Sequence, residues 1–172
     1  MSCRRLITLG EPTVGLYSSG LVTEIPIQPV LHEIEFRLSY GDCDPAGIVY
    51  FAAYYPWFDR VYNEWAYLGG FPPSKMVELW GATHLSVASG CRYRIPGRLH
   101  DPLTCRMRLG GIGTTSFVAH FTVEHRETSD THAEGEMVFV FVTGEADGDE
   151  RPRSTPVPEG LRDVLTAAGC IL

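Results

Sequence analysis

The sequence predicts an α+β domain in which an antiparallel sheet lies over one long helix. Three observations carry this prediction. An alternating strand precedes a helical stripe of aromatic residues, four strand-like segments then follow without helices between them, and no repeat or second domain interrupts the chain. A chain of 172 residues is most simply one domain. It is long enough to bury about two-thirds of its unfolded surface, which sustains a core without metals or disulfides.

Residues 1–29 mix short apolar pieces with Gly10, Pro12, Gly15, Gly20, Pro26 and Pro29. That punctuation allows short edge strands or a loose hairpin but no long helix, so residues 1–30 are set apart as an extension. From His32 the pattern alternates, with Ile34, Phe36 and Leu38 on one face and Glu35, Arg37 and Ser39 on the other, as in a half-buried strand. Tyr54, Phe58, Val61, Trp65 and Leu68 then recur at spacings of three and four, marking an apolar helical face that closes at Gly69 and Gly70. Pro56 is comfortable only in a first turn, so regular helix either starts near Tyr54 or starts earlier and bends there.

Phe71, Pro72 and Pro73 break the chain, and Ser74 is placed to cap a short helix over 75–80. Strands are expected over 84–95, 103–109, 117–125 and 137–143. In the third, Phe117, Ala119, Phe121 and Val123 share one face. Residues 145–158 are charged and rich in Asp, Gly and Pro, as a mobile loop is. Residues 159–168 form a short helix with Leu161, Val164 and Leu165 on one side. The main domain is accordingly drawn at 31–145, with 146–172 as loop and terminal helix.

A formal net charge of −7 argues against nucleic acid as a partner, since phosphate binding needs a basic surface. The five cysteines are scattered, with no Cys-x-x-Cys spacing. Neither a disulfide framework nor a zinc site is expected, and no cofactor is implied. The apolar run after Arg4 and Arg5 stops at Gly10, far short of a leader core, and none approaches the ~20 residues that span a bilayer. A cytoplasmic protein with no membrane partner is the expectation.

The chemistry concentrates in residues 40–59, Tyr-Gly-Asp-Cys-Asp-Pro-Ala-Gly-Ile-Val-Tyr-Phe-Ala-Ala-Tyr-Tyr-Pro-Trp-Phe-Asp. Gly41, Pro45 and Gly47 force a turn between strand and helix, and Asp42 and Asp44 sit in it. The helix that follows begins with unpaired N–H groups and the positive end of its dipole, where a polarised carbonyl oxygen is stabilised. A carboxylate in this place is either a nucleophile or base beside an oxyanion site, or simply a cap.

Gly41 to Val49 with the aromatic pair after it, followed by Trp57, Phe58 and Asp59, resembles the signature of the 4-hydroxybenzoyl-CoA thioesterase family, which has the hot-dog fold. The resemblance implies hydrolysis of an acyl-CoA thioester bearing an aromatic or bulky acyl group. It implies that Asp44 attacks the thioester carbonyl or activates a water, that the backbone N–H of Phe51 is the oxyanion donor, and that Gly47 lets the thioester approach the backbone. Asp59 matches a family aspartate near the acyl pocket. Asp42 reads as a brace for the turn, while Tyr54 and Trp57 are either walls of an aromatic acyl pocket or core residues. His84 either faces the cleft or packs. The resemblance also implies a homo-oligomer, dimer or tetramer, with sites at subunit boundaries.

Two departures from the family pattern stand out. Ala53 replaces a frequent Asn or Gly, and residues 112–117 lack the basic cluster that suits coenzyme A phosphates. Arg92, Arg94, Arg98, Arg106, Arg108 and Arg126 either substitute for that cluster or form a solvated sheet face. The substrate is therefore an acyl-CoA or an acyl group on a carrier protein, with a non-catalytic acyl-thioester binding module as the rival from another class. A Cys43–His nucleophile pair is a further alternative.

Overall fold

The computed structural model describes residues 28–143 and 152–172. Strand β1 (Val30–Arg37) leads through the turn at 40–50 into a 3-10 turn, Phe51–Ala53, that runs on as helix α1 (Tyr54–Leu68). A short helix α2 (Met76–Trp80) precedes four long strands, β2 (Thr83–Tyr93), β3 (Pro102–Ile112), β4 (Ser116–His125) and β5 (Thr131–Thr143). The two-residue strand β6 (Arg153–Ser154) and helix α3 (Glu159–Ala167) close the chain. All strands pair antiparallel in the order β1-β3-β4-β5-β2, with β6 beside β5. Register shifts at Ser86/Ala88 in β2 and Leu109/Gly111 in β3 interrupt the ladders where a curled sheet must bend. This is the hot-dog arrangement, a curled sheet around one long helix.

Alternation within each strand decides what faces the helix. Ile34 of β1, Leu103, Cys105 and Met107 of β3, and Phe117, Ala119, Phe121 and Val123 of β4 are all buried. Trp57 lies 4.6 Å from Phe36, Phe58 stacks on Phe121 at 4.7 Å, and Tyr62 stacks on Phe139 at 4.6 Å. Burying each such side chain contributes about 1.5–3 kcal/mol. Gly135 of β5 belongs to this packing, because a Cβ there would meet the Phe58 ring at 2.3 Å. Only a residue without a side chain lets the helix lie so close to β5.

The opposite face of the sheet is charged. Arg106 pairs with Glu33 at 2.7 Å and with Glu124, Arg126 with Glu35 at 2.6 Å, and Arg94 with Glu134 at 2.7 Å. Three of the six arginines expected on a positive stripe are thus committed to neighbouring carboxylates.

Several boundaries differ from expectation. The apolar stripe of α1 ends at Trp65, and Leu68 is 71% exposed; the buried face instead widens to include Trp57, Tyr62 and Ala66. The helix closes at Gly69 and Gly70 as expected, with Gly70 in the left-handed region at φ +83°. Ser74 supplies no cap, since α2 follows a 3-10 turn, Pro73–Lys75. Strand β5 starts at Thr131, six residues before the apolar run that marks it in the sequence. The mobile-loop expectation for 145–158 and the N-terminal arm at 1–29 fall mainly outside the described residues. From Pro152 the chain is ordered against the sheet, where Thr155 N donates to Phe141 O (2.9 Å) and Val157 N to Thr114 O (2.8 Å). No described helix is long and apolar enough to cross a membrane.

Candidate active site

The turn between β1 and α1 is closed by its own backbone. Asp44 N donates to Ile48 O (2.9 Å), Gly47 N to Asp44 O (2.9 Å) and Tyr50 N to Asp42 O (2.8 Å). A bridge between Cys43 and Val49 runs through its middle. The turn is also moored to the connection between β2 and β3, where Val49 N donates to Gly97 O (2.9 Å) and Ile48 bridges Arg98. Gly47 has φ +74°, a conformation that costs a side-chain-bearing residue strain. Among the described residues, no atom lies within 4 Å of where its Cβ would be, so the backbone here is open to approach.

The two aspartates of the turn are used differently. Asp42 Oδ2 accepts from Ser39 N at 2.8 Å and from Ser39 Oγ at 2.6 Å, which braces the end of β1 against the turn. Asp44 Oδ1 accepts from Ala46 N at 2.8 Å. Among the described residues, the other Asp44 oxygen has no hydrogen-bond donor, and the residue is partly exposed. A carboxylate held by one oxygen and open at the other is oriented yet available.

Phe51 begins the 3-10 turn that becomes α1, and the preceding Tyr50 provides no side-chain acceptor for the first amides. Such N–H groups have no partner within a helix. The Phe51 side chain is exposed and lies against Tyr50. Beside this helix start is a cavity of about 220 Å³ lined by Ile48, Val49, Phe51, Tyr54, Tyr93, Arg94, Ile95 and Pro96. Asp44 is not part of its lining.

The remaining candidates separate. Tyr54 is buried yet reaches this cavity; burial, with Cys91 and Tyr93 adding to it, pushes its hydroxyl well above the ordinary value. Trp57 is buried against Phe36 and Tyr54, within the core. Asp59 is exposed on α1, and its carbonyl accepts from Asn63 Nδ2 at 2.9 Å. His84 lies in a box of Phe117, Phe139, Phe141 and Tyr62, with ring centroids 4.8–6.2 Å away. Its Nε2 shares a hydrogen bond with the Tyr62 hydroxyl. Burial holds the imidazole down to about 4, so it is neutral near pH 7. Tyr62 is pushed up first by burial and then by Asp59, and therefore donates. The structure brings Asp44, Gly47 and Phe51 into one turn and helix start, with Tyr54 just beyond. Trp57 and His84 lie deeper, along the body of α1.

Cys43 is not poised as a thiolate. Burial raises its thiol, and Asp42, Asp44 and Asp101 raise it further. Among the described residues no group of three or more His, Cys, Asp or Glu is arranged to hold a metal. Tyr93, the last residue of β2, escaped the sequence reading. Its hydroxyl donates to Phe51 O at 3.1 Å, a contact between residues 42 positions apart that no local pattern signals.

Comparison with known proteins bears on this site. Over a stretch of 37 residues the chain is 46% identical to the 4-hydroxybenzoyl-CoA thioesterase of Pseudomonas sp. (strain CBS-3), covering 22% of this chain and 26% of that protein. The matched stretch thus spans about a quarter of that relative's length. A mutant 4-hydroxybenzoyl CoA thioesterase solved in complex with 4-hydroxybenzoyl CoA superposes with a TM-score of 0.67 at 25% identity, over 77% of this chain and 96% of that one. A 1,4-dihydroxy-2-naphthoyl-CoA thioesterase from Synechocystis shares the fold, with a TM-score of 0.68 at 15% identity over 78% and 95% of the two chains. Residues 38–165 match the family described as the thioesterase-like superfamily, a match that takes in the turn, α1, strands β2 to β6 and most of α3. On that span, well over half of its length, the chain belongs to the thioesterase-like superfamily.

Proposed function

We propose that this protein hydrolyses an acyl-CoA thioester carrying an aromatic or bulky acyl group, releasing the free acid and the thiol. Asp44 either attacks the thioester carbonyl or draws a proton from the attacking water, and the Phe51 N–H receives the developing oxyanion. One observation carries this reading: among the described residues, the turn holds Asp44 by a single oxygen directly before a helix start whose first amides have no side-chain acceptor. Gly47 keeps the approach to the backbone open. The aromatic preference is supported by Phe51, Tyr54 and Tyr93 around the neighbouring cavity, and by relatives named for hydroxylated aryl acyl-CoA substrates. Asp59, exposed on α1, is the proposed polar contact for such an acyl group.

Of the six arginines weighed for the phosphates of coenzyme A, Arg92, Arg98 and Arg108 have no carboxylate partner among the described residues. Arg98 is nearest the turn through its bridge to Ile48. Among the described residues, strand β2 pairs only with β5, and it exposes Leu85 (46%) and Val87 (57%). An apolar strand edge of this kind supports association of two copies through β2. Val87→Asp is expected to halve the mass measured by light scattering; an unchanged mass, or a monomeric wild type, removes the dimer.

The test of function is turnover of a panel of aryl and alkyl thioesters, each presented on coenzyme A and on a carrier protein, by the wild type and by Asp44→Asn. The expected result is hydrolysis by the wild type, with a loss of at least about a hundredfold in the variant. Equal rates for the two proteins would overturn the enzymatic reading in favour of a binding module. Faster turnover of the carrier-bound form would reassign the substrate.

A further inference from the structure

We infer that Tyr93 is a positioning residue for the reaction, holding the helix start so that the Phe51 N–H points at the developing oxyanion. The inference rests on the function proposed above and adds a residue to it. The Phe51 carbonyl belongs to the peptide that follows Phe51, and the Phe51 N–H to the peptide that precedes it. Both planes are rigid and share only the Phe51 Cα. Anchoring the carbonyl therefore leaves the N–H little freedom beyond rotation about that one carbon.

The anchor is the Tyr93 hydroxyl, 3.1 Å from the Phe51 carbonyl oxygen. Tyr93 is itself held firmly. It ends β2 in register with Ala133 of β5, and its ring packs on Tyr54 with centroids 5.4 Å apart. The sheet thus reaches across to the first turn of the helix. Desolvation, then the neighbouring Cys91 and Tyr55, push the hydroxyl up to about 12, so it remains a neutral donor throughout the working pH range.

Packing does not hold this part of the helix unaided. The 3-10 turn, Phe51–Ala53, contains no buried residue, and the cavity of about 220 Å³ lies beneath Phe51, Tyr54 and Tyr93. Where side chains leave space, the backbone is free to shift unless a hydrogen bond fixes it. A donor amide displaced by a fraction of an ångström loses much of its effect on a transition state while binding the ground state almost unchanged.

The experiment compares the wild type, Tyr93→Phe and Tyr93→Leu as full-length proteins. Tyr93→Phe keeps the ring and loses the donor. It is expected to lower kcat by about three- to tenfold, the kinetic equivalent of one neutral hydrogen bond, with KM changed by less than about twofold. Amide exchange at Ala53, whose N–H donates to Tyr50 O at 2.9 Å, is expected to quicken in the same variant. Tyr93→Leu is expected to lose no less kcat. Unchanged kcat and exchange in Tyr93→Phe overturn the inference, as does a loss confined to Tyr93→Leu, which would assign the effect to ring packing. An active wild type with an unaffected Tyr93→Phe removes this inference alone. A wild type inactive on every thioester removes the proposed function and this residue's part in it together.

Discussion

Helix α1 treats polar groups in opposite ways at its start and along its body. At the start, the first amides have no side-chain acceptor and Asp44 offers an oxygen without a donor among the described residues. Two turns further on, the Tyr62 hydroxyl and His84 Nε2 bond to each other inside a box of phenylalanines. The difference separates chemistry from architecture. Groups that satisfy one another in the core specify packing, whereas groups left open beside solvent retain their capacity for a substrate. The two aspartates of the turn repeat the contrast at closer range, since Asp42 spends its carboxylate on Ser39 and Asp44 keeps an oxygen free.

The contrast can be broken by substitutions that should affect one region and not the other. Asp44→Asn carries the largest expected effect: the loss in kcat of at least about a hundredfold should leave the unfolding temperature within a degree or two of the wild type. Marked destabilisation of that variant would make Asp44 a structural residue like Asp42.

Gly135→Ala addresses the body of the helix. Its Cβ would meet Phe58 at 2.3 Å, so overpacking should cost about 1–3 kcal/mol in denaturant unfolding. In material that remains folded, kcat should be largely kept. Loss of turnover without loss of stability would show that the body of α1 also shapes the site.

The smallest effect is on pH dependence. Burial holds His84 at about 4 in the folded chain against an ordinary value of 6.5, and it lowers buried His132 in the same direction. Between those two pH values the unfolded chain binds a proton that the folded chain refuses. The stability that His84 contributes is therefore complete above about pH 6.5 and is lost as the pH falls toward 4. The unfolding temperature should decline across that window, less steeply in His84→Gln. An identical slope in both proteins would mean that His84 stays solvated.

Much of this was legible from residue order. Ile34 and Leu38 alternate, Tyr54, Phe58, Val61 and Trp65 recur at helical spacing, and all are buried as that periodicity requires. The pattern misled where an element is enclosed more widely, or more thinly, than a single stripe describes. Trp57, Tyr62 and Ala66 are buried because a curled sheet covers a broad arc of α1, and Leu68 is exposed because that cover ends before it. The first half of β5 has no apolar alternation to find. Glu134 is exposed and paired to Arg94, while Gly135 is there to admit Phe58. Tyr93 was hidden for a similar reason, since its partner lies on another element.

Residue order by itself determined the fold class, the turn with its two carboxylates and the helix that follows, because periodicity, glycine and proline placement and capping chemistry act over a few neighbouring residues. Tertiary structure alone decided which arginines are neutralised by a facing strand and what steadies the amide of Phe51. Each of these depends on distances between segments far apart in the chain, and such distances exist only once sheet register and helix packing have brought the segments together.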